Sequence, residues 1–250
     1  MIPDDIQARV LYRDGLMLVI DKPAGLPVHR GPKGGDSLED VFDALRFGLP
    51  RAPALAHRLD RETSGCLVLG RHRKALAHLG LLFKHGRIGK AYWAVVEGGP
   101  VSDDGTIEIP LGRLNPDRGW WMKPDPKGLP SVTRWRVLGR AECIAWLALE
   151  PVTGRTHQLR VHCAASGFPI LGDAIYGTAP RAGGPGLHLH AREIVVPIQK
   201  NRPPVRVAAP VPPHMRARLA ACGWRGEEAP ADGADDRARG ASRAPADSAV

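Results

Sequence analysis

Two segments of this 250-residue chain bring together side chains that could do chemistry. The first, residues 57–65, reads HRLDRETSG and places Asp60 among basic and hydroxyl groups. A carboxylate on a loop between two strands can act as a nucleophile or stabilise a developing positive charge. It can equally cap a turn without any catalytic role. The residue types of this segment alone leave both interpretations open.

The second segment, residues 151–162, reads PVTGRTHQLRVH. Three donors, Arg155, His157 and Arg160, lie in the first turns of a helix that we predict over residues 155–166. Cations at the start of a helix oppose the helix dipole, so helix stability does not explain their presence. A bound anion or a buried carboxylate partner would explain it.

Motifs of several other enzyme classes are missing from the sequence. It contains no GxxxxGK[ST] phosphate loop, no GxSxG nucleophile turn and no GxGxxG opening a helix after a strand. The ten histidines have no metal-ligand spacing, and none of the four cysteines forms a CxxC pair. The sequence therefore predicts neither a metal site nor a disulfide framework, and it disfavours nucleotide hydrolysis, esterase chemistry and dinucleotide binding.

The hydrophobic pattern predicts the elements that carry the two segments. Helices are indicated at 37–48, where Ser37 and Asp40 form a capping box, at 74–85 and at 155–166. Most predicted strands are joined by turns too short for parallel crossovers, which favours an α+β fold with a mixed, largely antiparallel sheet. The predicted strands are 10–12, 16–20, 54–59, 66–70, 90–97, 106–109, 132–138, 143–150, 187–196 and 205–208.

The charge of the chain is unevenly distributed. The net charge is +9, but residues 226–250 contain six acidic and three basic residues, so residues 1–225 carry about +12. Such a basic body suggests a polyanionic partner, although a merely soluble basic protein has the same composition. We predict one folded domain over 1–225 and a disordered acidic tail over 226–250.

The apolar runs, such as 16–20 and 66–69, are too short to cross a bilayer. The N-terminal residues contain two Asp and no apolar core typical of a signal peptide. We therefore expect a cytoplasmic protein that does not contact membranes, and a monomer by default.

Five blocks of sequence follow one another along the chain: DKPAGL at 21–26, HRLD at 57–60 with TSG at 63–65, KAY at 90–92, residues 151–162, and GFPILGD at 167–173 with YG at 176–177. In this order they resemble the RluA family of RNA pseudouridine synthases, and the resemblance covers roughly residues 10–212. It implies the pseudouridine synthase fold, with residues 1–225 as the catalytic domain. The implied activity is the isomerisation of specific uridines to pseudouridine in structured ribosomal or transfer RNA, without metal or organic cofactor.

The resemblance also implies roles for three catalytic residues. Asp60 matches the aspartate that attacks the ribose C1′ or otherwise assists cleavage of the glycosidic bond. Tyr92 matches the tyrosine that lies against the flipped base and is a candidate for proton transfer. Arg160 matches the arginine that pairs with the aspartate, and this pairing would keep Asp60 ionised because a nearby cation favours the charged form.

Seven residues are implied to bind RNA or to support base flipping, which exposes a stacked uridine to the enzyme. Arg58 is the candidate to fill the space that the base vacates, and Leu171, with Ile170, is the candidate floor beneath the base. The other five are expected to shape the loops or to contact anionic groups: His57, Thr63, Ser64, Arg155 and His157.

Loops 30–36 and 113–127 are expected to recognise the shape of the RNA. The second reads RLNPDRGWWMKPDPK, in which basic residues flank Trp120 and Trp121. These groups suit phosphate contacts and base stacking, but the indole pair could equally pack beneath a loop. We expect no S4 RNA-binding domain before the first strand, so the catalytic domain must supply its own RNA affinity.

Other functions fit the sequence less well. A non-catalytic RNA-binding protein with a degenerate synthase fold would not need Asp60, Tyr92 and Arg160, which are all present. A nucleoside glycosidase would require a metal-binding carboxylate cluster or a second general acid near Asp60. Only Glu62 lies close in sequence, and we expect it to face solvent. A deaminase would need a zinc-binding set of His and Cys, which is missing.

Overall fold

The computed structural model describes residues 5–31, 34–115 and 121–226. The tail predicted over 226–250 lies outside the described residues from position 227 onward, as do Arg118 and Trp120 of the predicted RNA-binding loop. No helix in the described ranges is both long and apolar enough to span a bilayer.

Twelve strands and three α-helices form the regular structure of the described chain, together with two short 3₁₀ helices. The strands are β1 (Val10–Arg13), β2 (Met17–Lys22), β3 (Ala54–Leu55), β4 (Ser64–Gly70), β5 (Gly89–Glu97), β6 (Asp104–Glu108), β7 (Leu111–Arg113), β8 (Met122–Pro124), β9 (Val132–Ala141), β10 (Ile144–Pro151), β11 (Leu189–Val196) and β12 (Val205–Ala208). The helices are α1 (Arg73–Lys84), α2 (Gln158–Ala165) and α3 (Pro213–Ala221), and two 3₁₀ helices cover Gln7–Arg9 and Leu38–Leu45.

Ten of these strands form one sheet. Its order is β1-β2-β4-β11-β5-β10-β9-β6, with β3 also paired to β4 and β12 to β11. Among the strands of the described residues, only β4 and β11 pair in parallel; the other pairs are antiparallel. The mixed, largely antiparallel α+β fold predicted from the sequence is therefore confirmed. Strands β7 and β8 form a separate hairpin.

Helices cover both faces of the sheet because successive side chains of a strand point to opposite faces. In β4, Leu67 and Leu69 pack in the cluster that contains the 3₁₀ helix Leu38–Leu45, whereas Cys66 and Val68 pack in the cluster that contains α1. The side chains of β10 likewise alternate between the cluster that contains α2 and the cluster that contains α3.

The parallel contact between β4 and β11 places the end of the Asp60 loop at the centre of the sheet. Gly65 pairs with Ala191 there and has a φ of +105°. A Cβ atom at this position would lie 2.3 Å from the Ala191 carbonyl oxygen. Only glycine permits this approach, so the segment containing Asp60 enters the sheet at a fixed point.

The structure corrects several predicted elements. The helix predicted at 37–48 is a 3₁₀ helix over Leu38–Leu45, and the strand predicted at 54–59 ends at Leu55. The strand is shorter because the Val68 backbone N–H donates to Nε2 of His57 at 3.0 Å, where a paired strand would supply a carbonyl. The hairpin of β7 and β8 and the helix α3 were not predicted.

Candidate active site

A cleft of about 790 Å³ opens where the loop before β4, the start of β5, the end of β10 and the start of α2 meet. Eight of the ten residues selected from the sequence line it. They are His57, Arg58, Asp60, Thr63, Tyr92, Arg155, His157 and Arg160. The structure thus brings together residues separated by up to 103 positions in the sequence, from His57 to Arg160.

The Asp60 loop is held by a lysine that is not among the predicted site residues. Lys22 is fully buried, and its Nζ donates to the carbonyl oxygens of Pro23 at 2.8 Å, Arg61 at 2.9 Å and Thr63 at 2.8 Å. Burial lowers the pKa of Lys22 to about 7, against the carboxylates of Glu62 and Asp60, which raise it. Its position in the DKPAGL segment is the signal that could have identified it.

Replacing Lys22 by Met should lower the free energy of unfolding by about 2–4 kcal/mol, since three carbonyls lose their donor, and each buried group left unpaired costs about 1–3 kcal/mol before relaxation. Chemical denaturation measures this loss. Lys74→Met, on the exposed face of α1, is the control and should change stability by less than about 0.5 kcal/mol. Equal effects of the two substitutions would contradict the assigned role of Lys22.

Arg160 pairs chiefly with a residue other than the predicted one. Its Nε and Nη2 donate to the two carboxylate oxygens of Asp173 at 2.8 and 2.7 Å, whereas its Nη1 lies 4.0 Å from Oδ2 of Asp60. The expected contact with Asp60 is thus present at longer range, and the bidentate pair with Asp173 is the stronger interaction. Asp173 therefore fixes the guanidinium in the position from which it faces Asp60.

Asp173 is 1% exposed and is surrounded by donors. Burial raises its pKa, but the hydrogen bonds and charge of Arg160, together with the backbone N–H groups of Tyr176 and Ile175, outweigh burial and lower the pKa overall. The carboxylate is therefore ionised at neutral pH and neutralises the buried guanidinium.

His157 is the second donor that faces Asp60. Its Nε2 lies 3.8 Å from the Asp60 carboxylate, and its Nδ1 lies 2.8 Å from the hydroxyl of Tyr176. The Met122 backbone N–H donates to that hydroxyl at 3.0 Å, and the hydroxyl has its own proton to donate to Nδ1. Burial lowers the pKa of His157 despite the Asp60 charge, so the ring is neutral; the tautomer that accepts the Tyr176 proton at Nδ1 carries its own proton on Nε2, toward Asp60.

Tyr92 lies on β5 and packs between the two hydrophobic clusters on the α2 side of the sheet. Burial is the main cause that raises the pKa of its hydroxyl well above the ordinary value, and the negative charge of Asp60 adds to the rise. The phenol therefore keeps its proton at neutral pH and can offer it inside the cleft.

His57 and Ser64 are structural in their contacts. The His57 ring stacks on Phe83 with centroids 4.5 Å apart, and burial lowers its pKa to about 3, so it is neutral. Ser64 lies outside the cleft, where its hydroxyl forms a buried hydrogen bond of 2.8 Å with Nδ1 of His190. Both contacts are consistent with shaping the loop rather than binding the base.

Leu171 does not form the floor of the cleft, contrary to the prediction. The segment bridges to β5 at Val96, and successive side chains there point to opposite sides, so Ile170 enters the core beside α2 while Leu171 packs near α3. The apolar side chains that do line the cleft include Leu59, Leu159 and Leu189.

Arg58 and Arg155 are exposed at the rim of the cleft. Arg155 donates from Nε to the Pro130 carbonyl at 3.3 Å, next to the β7–β8 hairpin. Within the predicted RNA-binding loop, Trp121 is half-buried, and the Arg181 guanidinium lies 5.4 Å from its ring centroid. One indole of the pair is therefore already in contact with a cation.

Comparisons with known proteins agree with this geometry. The family model of RNA pseudouridylate synthases matches residues 16–165. An uncharacterized RNA pseudouridine synthase of Zymomonas mobilis is 42% identical over 206 residues, which are 82% of this chain and 94% of that protein. Ribosomal large subunit pseudouridine synthase C of Vibrio parahaemolyticus is 34% identical over 216 residues, covering 83% of this chain and 67% of the relative.

A solved structure shows the same fold. Human RNA pseudouridylate synthase domain containing 4 superimposes with a TM-score of 0.72 at 28% identity, covering 86% of this chain and 94% of that one. The chain therefore belongs to the RNA pseudouridine synthases. Within them it is of the RluA type, which confirms the family and the isomerase activity predicted from the sequence.

Proposed function

We propose that Asp60 is the catalytic carboxylate with which this enzyme isomerises uridine in structured RNA, assisted by Arg160 and Tyr92. The observation that carries the proposal is the position of the Asp60 carboxylate, which is 22% exposed in the cleft and faces Nη1 of Arg160 at 4.0 Å and Nε2 of His157 at 3.8 Å. Two donors thus stabilise the negative charge of a group that substrate can still reach.

The reaction needs such a carboxylate. The bond between N1 of the base and the ribose C1′ breaks, C1′ bonds to C5 of the same base, C5 loses its proton and N1 gains one. Cleavage gives C1′ oxocarbenium character, and Asp60 either stabilises this charge electrostatically or bonds to C1′ in an ester that breaks again when C5 bonds to C1′. The protonated hydroxyl of Tyr92 lies against the same space and is the group available for proton transfer with the base.

We further propose that the substrate is ribosomal or transfer RNA and that the target uridine leaves its stack to enter the cleft. The Vibrio relative is named for the large ribosomal subunit, which favours ribosomal RNA. Arg58 is exposed at the rim and is the candidate to occupy the vacated space. The enzyme is proposed to act as a cytoplasmic monomer, with residues 1–225 as its catalytic domain.

Tritium release from RNA labelled at C5 of uridine tests the proposal, because the C5 hydrogen is lost when C1′ bonds to C5. Purified enzyme should release tritium from a large-subunit ribosomal or a transfer RNA transcript. The amount released should correspond to a few uridines per transcript. Absence of release from both transcripts would overturn the substrate assignment.

Tyr176→Phe should lower kcat about tenfold and leave KM nearly unchanged, because His157 loses the hydrogen bond that directs its Nε2 proton at Asp60. A tenfold change corresponds to about 1.4 kcal/mol, the size of one hydrogen bond. The control is Tyr12→Phe, which removes a hydroxyl that contacts Asp14 outside the cleft. An unchanged kcat in Tyr176→Phe would exclude a positioning role.

A further inference from the structure

The outer face of α1 and the turn after it form a strongly basic surface. Residues 71–90 contain six Arg or Lys and three His, but no Asp or Glu. Four of these cations are exposed and form no ion pair within the described ranges: Arg73, Lys74, Lys84 and Arg87. Elsewhere on the surface, some cations contact a carboxylate, as Arg30, Arg140 and Arg206 do. Others, such as Arg216 and Arg218 on α3, have no ion pair within the described ranges either, but they are not part of so dense a basic segment.

Folding does not account for this charge. Only Ala75 and Leu79 of α1 are fully buried, on the side that packs against the sheet. Arg73 and Lys74 occupy the first turn, where positive charge opposes the helix dipole and is slightly destabilising. The two residues therefore lower the stability of the helix that carries them. This indicates that they serve a function other than stabilising the fold.

The basic surface is continuous with the active-site cleft. Lys84 and His85, at the C-terminal end of α1, line the cleft, as does Lys90 at the start of β5. The 12 residues of α1 span about 18 Å, so the surface extends from the rim of the cleft to Arg73 over roughly that distance. A polyanion bound in the cleft can thus continue along the helix.

We propose that this face of α1 binds the phosphate backbone of the RNA that flanks the target uridine. The proposal rests on the RNA substrate of the proposed function and adds to it the direction in which the RNA leaves the cleft. Ammonium and guanidinium groups without protein partners suit phosphate oxygens, and such contacts position the RNA without reading its sequence. The catalytic domain would obtain in this way part of its RNA affinity.

Reversing the charges farthest from the cleft tests the proposal with little risk to folding. Carboxylates in the first turn complement the helix dipole, so Arg73→Glu/Lys74→Glu should melt at or above the wild-type temperature. Its Kd for a fluorescein-labelled RNA stem–loop with a looped uridine should rise at least about fivefold, and the slope of log K against log salt should become shallower by about 1.4–1.8 for two lost contacts. On the transcript modified in the tritium assay, KM should rise while kcat stays unchanged.

The matched control is Arg216→Glu/Arg218→Glu, which makes the same change in net charge on α3. These arginines are exposed, and α3 lines no part of the cleft. The control should keep its Kd within about twofold of wild type and keep the wild-type salt slope.

If both double variants weaken binding equally, or neither does, the RNA does not follow α1 and the proposal is wrong. Binding is measured apart from turnover, so a failure of the Asp60 mechanism would leave this result unchanged.

Discussion

Replacing Asp60 by Asn should reduce pseudouridine formation by about three orders of magnitude or more while the protein stays folded. Asn keeps the shape of the side chain but can neither bond to C1′ nor stabilise a positive charge there. The loop itself is held through backbone carbonyls, including the Asp60 carbonyl that accepts from the Thr63 N–H at 3.1 Å. Tritium release at saturating RNA measures the loss.

Glu62→Gln is the control for this substitution. Glu62 lies two residues further along the same loop, and its side chain is 48% exposed and faces the Arg61 guanidinium. Removing its charge should change the rate by less than about twofold. A rate near wild type for Asp60→Asn, or an equal loss for Glu62→Gln, would contradict the catalytic role of Asp60.

Arg160→Met should lower the free energy of unfolding by about 3–5 kcal/mol, because Asp173 stays buried without its cation. In Arg160→Met/Asp173→Asn, the loss of unfolding free energy should be smaller than the sum of the losses in the two single variants. Combining Arg160→Met with Asp60→Asn should restore little or no stability.

The stabilisation by the Arg160–Asp173 pair should depend on pH. Because folding lowers the pKa of Asp173, this stabilisation is present above the ordinary aspartate pKa and is lost as pH falls through the lowered value.

Urea denaturation of the four members of the Arg160–Asp173 cycle, at neutral pH, measures this coupling. Strict additivity of the two substitutions would contradict the assigned pair. A coupling of Arg160 to Asp60 larger than its coupling to Asp173 would show that the longer contact of 4.0 Å dominates instead.

The sequence was sufficient to predict which loops meet at the cleft but not how their side chains pair. Asp60, Tyr92 and Arg160 were identified by motif order, and their convergence on one cleft follows from the sheet topology. The bidentate partner Asp173 was missed because it lies thirteen positions after Arg160, beyond an irregular turn. Neither hydrophobic periodicity nor charge spacing defines the course of such a turn.

The position of Leu171, the hairpin of β7 and β8 and the helix α3 were predicted wrongly or not at all, for similar reasons. Leu171 was placed beneath the base, although alternation from Ile170, which bridges to β5, directs it to the opposite core. Strands β7 and β8 have three residues each, too few to display an alternating pattern. Helix α3 starts at Pro213 directly after Pro212, and proline at the first helical position was the available signal.

A pseudouridine map of total RNA, from a strain that lacks the gene and carries either the wild-type or the Asp60→Asn coding sequence, tests the central claim most directly. We expect the deletion to remove pseudouridine from one or a few uridines of ribosomal or transfer RNA. The wild-type sequence should restore these positions, and the Asp60→Asn sequence, expressed at the same level, should restore none. An unchanged map in the deletion strain, or full restoration by Asp60→Asn, would contradict the assignment of this chain as a synthase that acts through Asp60.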